Sequence, residues 1–351
     1  MNSKKRFYYI ICNPASGKKR DKDEVLSSLE KAIREKKGRC ESHKTKYRGH
    51  GAELSQEALK KGADVIIVIG GDGTVNEVAR SLVGTSAILG IIPMGSGNGL
   101  ARELGIPQNP EEAISTLMEH KWLSMDACTV NEEYFFCTCG VGFDAEVSAR
   151  FSERTQRGPA GYVQEVVDTF FKHEPLRCEI DVDGKKSKNS LFLLTCANAS
   201  QYGNNAYIAP QADITDGIID VTMIEEFSLV HSGQIAYQLF SKGLDKNPYT
   251  KQLRGKRIEI KLQSPVHFHV DGDPKPKTDL LLIEMKPKAL NIIYGQYKEK
   301  EQTILDVFFA YTNSYLEWKD GILEDVVTTI KGIGKKKNDN DEEEDTKEIE
   351  A

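Results

Sequence analysis

The sequence predicts a layered α/β domain followed by a mainly antiparallel β-sandwich, and three observations carry that expectation. First, residues 65–69 are an unbroken apolar run, VIIVI, that stops at Gly70-Gly71-Asp72-Gly73-Thr74. Such a run marks a parallel strand covered on both faces, and the glycines at its end let the backbone approach a ligand closely. Second, strand-like and helix-like segments alternate through the first 127 residues. Third, from about residue 128 the pattern changes to short runs with period-two alternation and turn signals between them.

In chain order, residues 7–12 (FYYIIC) read as the first strand and 13–17 as a turn. An amphipathic helix follows over 23–35, with Val25, Leu26, Leu29 and Ile33 on its buried side. Residues 51–60 read as a second helix, 65–69 as a strand and 75–82 as a helix whose first amides point toward an anion. A further strand over 87–93 ends in a second glycine-rich turn, Gly95-Ser96-Gly97-Asn98-Gly99, before a short helix at 100–104. Two glycine turns at the carboxyl ends of two strands point to one site between them. The later strands are expected at 134–139, 178–182, 191–197, 218–224, 258–262, 266–270 and 280–284, interrupted by helices at 161–171 and 229–239. Residues 301–333 carry an apolar stripe that includes Ile304, Phe308, Tyr311 and Ile330. It reads as a pair of C-terminal helices packing on the first domain, with a homodimer or membrane contact as the alternative use of that stripe.

The expected domains are thus 1–127, 128–297, C-terminal helices over 298–335 and an acidic tail over 336–351. The chain has 351 residues and a formal net charge of −6, but residues 338–351 hold eight acids against the single base Lys347. A run of that kind reads as a solvated, disordered tail. Residues 1–62 lean the other way, with 17 Lys/Arg against 8 Asp/Glu, which suits a polyanionic ligand or an anionic membrane surface as well as solvated helix faces. Seven scattered cysteines without zinc spacing read as reduced thiols in a cytoplasmic protein, Cys137 and Cys139 sharing one face of a strand. Apolar runs stay short of 18 residues, so a membrane span is not expected, and the six-residue apolar stretch near the N-terminus is too short for a signal-peptide core.

Four polar, glycine-flanked clusters stand out: residues 13–17 (NPASG), 70–77 (GGDGTVNE), 95–98 (GSGN) and 271–273 (DGD). Each alone is an ordinary tight turn. They match neither the P-loop nor the dinucleotide fingerprint. Together, as NP-x-S-G, GGDGT-x-N-E, P-x-G-[ST]-x-N and V-D-G-[ED] in that order, they resemble the diacylglycerol kinase catalytic family, which includes soluble bacterial lipid kinases and the sphingosine and ceramide kinases. The resemblance runs from about residue 7 to 294, with further segments at 140–147 (GVGFDAEV) and 209–221 (AP-x-AD-x-x-DG-x-x-DV). NAD kinases share GGDGT and the fold; the two later segments and the DGD cluster favour the lipid kinases. The second turn, PMGSGNGLA, is closer to the sphingosine and ceramide kinase form than to the GT-x-ND form of bacterial diacylglycerol kinases.

The resemblance implies a NAD kinase/diacylglycerol kinase-like fold and ATP in the cleft between domains. The nucleotide would lie against Asn13, Pro14, Ala15, Ser16, Gly17, Thr45, Gly71, Asp72, Gly73, Thr74, Val75, Asn76, Glu77 and Ser96. Phosphoryl transfer requires charge neutralisation at the triphosphate and a base for the acceptor hydroxyl. Asp72 is expected to hold Mg2+ through water. Asp273 stands where the family carries its catalytic acid, one methylene shorter than the usual Glu, with Asp271 and Asp72 as rival bases. Asp213, Asp216 and the Ile218 carbonyl resemble the family's structural Mg2+ loop. His267 and His269 share a strand face, without the further ligands that a zinc site needs. Residues 150–159, basic and broken by glycine and proline, suit a lid or a membrane-facing loop.

The expected function is an ATP-dependent lipid kinase, cytoplasmic and peripherally membrane-associated. Its γ-phosphate acceptor would be the hydroxyl of diacylglycerol, a sphingoid base or ceramide, with no nucleic-acid partner. The alternatives are an NAD kinase and a catalytically inactive nucleotide or lipid sensor.

Overall fold

The computed structural model describes residues 5–17, 22–153, Thr169 and 173–296. The expected helices at 161–171 and 301–333, the acidic tail and most of the 150–159 loop therefore lie outside the described residues.

Strands β1 (Phe7–Cys12), β2 (Arg39–Lys44), β3 (Val65–Gly70) and β4 (Ile88–Pro93) form a parallel sheet in the order β2-β1-β3-β4. Helices α1 (Lys22–Glu35), α2 (His50–Lys60), α3 (Asp72–Leu82), α4 (Gly99–Glu103) and α5 (Pro110–Met118) accompany them. The chain runs from β1 outward to β2 and then back across to β3, so right-handed crossovers place α1 and α2 on opposite faces of the sheet. Every residue of β1 and β3 is buried, which is why they read as unbroken apolar runs. The polar edge strand β2, RCESHK, has no such run and escapes a hydrophobic-pattern reading.

The second half contains β5 (Trp122–Val130), β6 (Glu133–Phe135), β7 (Thr138–Gly142), α6 (Phe143–Glu153), β8 (Leu176–Val182), β9 (Lys185–Ala197), β10 (Ile219–Glu225), α7 (Leu229–Phe240), β11 (Thr250–Gly255), β12 (Arg257–Val270) and β13 (Asp273–Ile293). With one exception their pairings are antiparallel. They enclose a separate core of Val141, Ile180, Leu194, Val221, Ile260 and Ile283 among others.

The exception is β13, which starts in a hairpin with β12 and ends by pairing in parallel with β4 at Asn291 and Ile292. Its last residues, Leu290, Ile292 and Ile293, belong to the core of the α/β half. One 21-residue strand therefore ties both halves into a single hydrogen-bonded sheet.

Two sequence expectations change here. The strands expected at 258–262 and 266–270 are one strand, β12, whose register shifts between Lys261 and Val266. The strand expected at 134–139 is broken at Phe136–Cys137. Cys137 consequently packs in the α/β core while Cys139 packs in the sandwich core, so the two do not share a strand face.

Asp126, fully buried on β5, accepts the Lys288 N–H at 2.7 Å and the Gly217 N–H at 2.6 Å. It thereby joins β5, the kink in β13 and the loop before β10. Asp126→Ala is expected to lower stability by about 3 kcal/mol by removing the charged acceptor that two backbone N–H groups share; an unchanged urea midpoint would contradict this.

Candidate active site

The expected nucleotide residues converge on the carboxyl edge of the parallel sheet. Asn13 follows β1, Thr45 follows β2, Gly71 to Thr74 follow β3 and Ser96 follows β4. Since the chain reverses its lateral direction between β1 and β3, this is the topological switch point where open α/β sheets take ligands. Asn13 donates through Nδ2 to Thr74 Oγ1 at 2.7 Å, while its Oδ1 accepts the Ala15 N–H at 2.9 Å. Its side chain thus organises the 13–17 turn against the start of α3. Gly17 has φ +68°, and a Cβ there would lie 2.2 Å from the Met94 carbonyl oxygen. Pro14, Ala15, Gly17, Gly73 and Ser96 are exposed.

The two glycine turns pack directly on each other. A Cβ on Gly95 would sit 2.8 Å from the Gly71 Cα. At these two positions glycine serves loop-to-loop contact. At Gly73, by contrast, a Cβ would meet only open space. Asp72 staples the turns together: its Oδ2 accepts the Asn98 N–H at 2.8 Å and its Oδ1 the Gly99 N–H at 2.7 Å. Burial pushes the Asp72 carboxyl above its ordinary range, against the pull of those two backbone bonds. With one amide on each oxygen, a lone-pair position per oxygen is left for a water-bridged cation. Thr45 is buried and donates its N–H to the Cys12 carbonyl, and Val75 packs in the core. Glu77 points away from the turns, accepting the Gly49 N–H at 2.8 Å and the Gly51 N–H at 3.2 Å at the start of α2.

The sandwich half reaches this edge through the β12–β13 hairpin. Asp271, at φ +48° in the turn, accepts from three successive amides: Phe136 at 3.0 Å, Cys137 at 2.8 Å and Thr138 at 3.0 Å. It also accepts from Asn76 Nδ2 on α3, at 2.5 Å. These amides leave the ladder to reach the carboxylate, which is what breaks the strand between β6 and β7. Burial raises the Asp271 carboxyl, opposed by the amide bonds and by Asn76.

Asp273, two residues on, has a different setting. Its Oδ2 lies 2.5 Å from Arg48 Nη2 and 3.8 Å from Lys275 Nζ, and its side chain is 45% exposed. Lys275 continues to Glu133 at 2.5 Å, and Glu133 to Arg80 of α3 at 2.6 Å. Asp271 and Asp273 therefore divide the turn's two tasks, one bonded inward and one half-exposed with cationic neighbours.

Beneath the turn lies a buried pair that the sequence did not single out. His269 Nε2 is 3.1 Å from Asp144 Oδ2, and that carboxylate also accepts from Thr195 Oγ1 at 2.9 Å and Tyr202 Oη at 2.8 Å. His269 Nδ1 in turn faces the Gly272 N–H at 3.4 Å. Gly140 leaves the room for the pair: a Cβ there would be 2.6 Å from Asp144 Oδ2 and 2.8 Å from His269 Nε2. Burial raises the Asp144 carboxyl, but the His269 charge and the bonds from His269, Tyr202 and Thr195 outweigh it and the net shift is downward. The one sequence signal was the location of Asp144 in the GVGFDAEV segment, which carries no spacing rule for a partner on β12.

The residues expected to form a structural metal loop, Asp213, Asp216 and Ile218, precede β10. Asp213 Oδ1 accepts from the Thr215 N–H and Oγ1, and Asp216 Oδ1 accepts the Ile218 N–H at 2.9 Å. The other Asp216 oxygen is paired with Arg254 on β11. Among the described residues no group of three His, Cys, Asp or Glu side chains is arranged to hold a metal.

Residues 8–130 match the family model of the diacylglycerol kinase catalytic domain, and residues 137–294 that of the YegS C-terminal NAD kinase beta sandwich-like domain. A diacylglycerol kinase of Staphylococcus haemolyticus is 30% identical over 314 residues, covering 85% of this chain and 92% of that protein. An uncharacterised Synechocystis protein is 30% identical over 249 residues, which span 68% of this chain and 57% of its own length. The crystal structure of a diacylglycerol kinase from Bacillus anthracis superposes with a TM-score of 0.65 at 23% identity, over 84% of this chain and 98% of that one, a likeness of fold.

Asp144 yields a pH prediction. A carboxyl whose folded pKa lies below its unfolded value of about 3.9 contributes stability that is present above that pH and lost as pH falls toward the folded value. The stability gap between wild type and Asp144→Asn should therefore be largest near neutrality and shrink below about pH 4. Urea melts across that range check it, and a gap that widens on acidification would contradict it.

Proposed function

The chain belongs to the diacylglycerol kinase catalytic-domain family, and from that premise we propose that it is an ATP-dependent lipid kinase. In this reading the γ-phosphate of ATP passes to a free hydroxyl of a membrane lipid, diacylglycerol or a sphingoid base or ceramide. The observation that carries it is the 2.5 Å bond from Asn76 to Asp271, which brings the turn bearing Asp273 beside the start of α3. Nucleotide binds in the first domain, at the turns containing Asn13 to Gly17, Gly71 to Asn76 and Ser96, and the lipid is presented by the second.

Asp273 takes the proton from the acceptor hydroxyl as that oxygen bonds to the γ-phosphorus and the β–γ bridging oxygen departs with ADP. Its exposure leaves the carboxylate accessible to a hydroxyl, with Arg48 and Lys275 as its cationic neighbours. The same two cations stand near the path of the transferred charge. Asp271 and the Asp144–His269 pair beneath it hold the turn still, since a base acts only within hydrogen-bond reach. A magnesium ion held through water by Asp72 would neutralise phosphate charge. The excess of Lys and Arg in residues 1–62 suits peripheral contact with an anionic membrane, and no helix among the described residues is long and apolar enough to cross one.

Two experiments test this. With radiolabelled ATP and a panel of diacylglycerol, sphingosine, ceramide, phosphatidylglycerol and NAD, label should enter a lipid; label found only in NADP overturns the proposal. Asp273→Asn should lower kcat by roughly 10²–10⁴-fold with ATP binding retained, and a fully active variant would remove Asp273 as the base.

A further inference from the structure

The family resemblance leads one to expect a divalent cation at the loop before β10. The side chains there are arranged differently. Asp220 on β10 lies directly opposite Arg254 on β11 in the antiparallel register, and Arg254 Nε is 3.1 Å from Asp220 Oδ1. The same guanidinium extends through Nη2 to Asp216 Oδ2 in the loop. Asp216 Oδ1 is already taken by the Ile218 N–H, and the Ile214 carbonyl by the Asp126 N–H at 2.7 Å. One oxygen of the expected side-chain ligand is thus already paired with a fixed cation.

We propose that Arg254 fulfils the role of the cation in this chain, clamping the 213–218 loop to the β10–β11 edge by bridging Asp216 and Asp220. The guanidinium supplies a fixed positive charge and two donor directions, which is what two carboxylates on adjacent elements require. Sterics do not forbid a metal. A cleft of about 630 Å³ lined by Asp183, Lys185, Asp220, Gln252 and Arg254 opens onto the pair, so ions can reach it. Charge decides the occupancy: a dication in contact with Asp216 would stand within a few ångströms of the guanidinium, and at that range like charges repel even at a half-exposed site. Asp220 also explains why the clamp is needed. It is 3% exposed and its Oδ2 has no hydrogen-bond partner, so without Arg254 the chain would carry a buried, uncompensated carboxylate. Burial raises the Asp220 carboxyl, and Arg254 opposes that rise.

The test is thermal melting of the full chain without nucleotide, in excess EDTA and in millimolar MgCl2. Wild type should melt at the same temperature in both. Arg254→Met, which keeps the aliphatic stem, should melt at least about 4 °C lower in EDTA. In MgCl2 it should recover part of that loss, and addition of Asp216→Asn should abolish the recovery. A wild type stabilised by magnesium, or an Arg254→Met variant that melts like wild type in EDTA, overturns the clamp. If Arg254→Met does not fold, Arg254→Lys retains the charge and should stay insensitive to magnesium; magnesium stabilisation of the lysine variant would equally overturn it. These readouts do not depend on the acceptor lipid or on kinase activity.

Discussion

The carboxylate of Asp271 is the constraint on which the remainder of the site depends. It gathers three consecutive backbone amides of the sandwich half and one side-chain amide from α3 of the α/β half. Hydrogen bonds to an ionised acceptor each stabilise by about 1.5–3 kcal/mol net, and here they offset the desolvation that would otherwise expel a buried charge. The strand break at Phe136–Cys137 is the structural consequence: the ladder is given up locally so that its donors can converge on one point. Gly272, at φ +80°, then turns the chain, and Asp273 emerges on the open side.

Strand β13 turns that local fixation into an interdomain one. It leaves the Asp273 turn, runs the length of the sandwich and finishes in the α/β core at Leu290, Ile292 and Ile293. The turn is therefore held at both ends of the strand that carries it, by Asn76 near its start and by burial near its finish. The polar chain Arg48–Asp273–Lys275–Glu133–Arg80 adds a second row of contacts between the halves. Individually such half-exposed pairs contribute little, so their effect is chiefly to set side-chain direction.

What could be read from the sequence follows from where the signal was local. β1 and β3 are buried on both faces, and their apolar runs announce them; the tight turn read at residues 271–273 is present because glycine and aspartate specify it. β2 was not legible because none of its residues is buried, and β5 because it alternates between two cores. The clusters around Asn13, Asp72, Ser96 and Asp273 were visible as motifs. The Asp273 partners Arg48 and Lys275, and the Asp216 partner Arg254, were not, since each is defined by a cross-strand register or an interdomain contact rather than by spacing along the chain.

The acids of the motifs, and Asp126 outside them, also share a physical logic that spacing alone hides. Asp72 accepts from Asn98 and Gly99, Glu77 from Gly49 and Gly51, Asp126 from Lys288 and Gly217, and Asp271 from residues 136–138. Glycine-rich loops lack side chains to pack and lose more conformational freedom on folding than other segments. A buried carboxylate solves this by bonding the backbone itself, several amides at a time. Asp271 is spent in this way on the shape of the site, whereas Asp72, with one amide on each oxygen, keeps a lone-pair position on each for a water-bridged cation. Asp273 is set apart from this group by its partners, two cations and open solvent in place of main-chain amides, and that distinction in partners separates an acid that builds the turn from the one fitted to act from it.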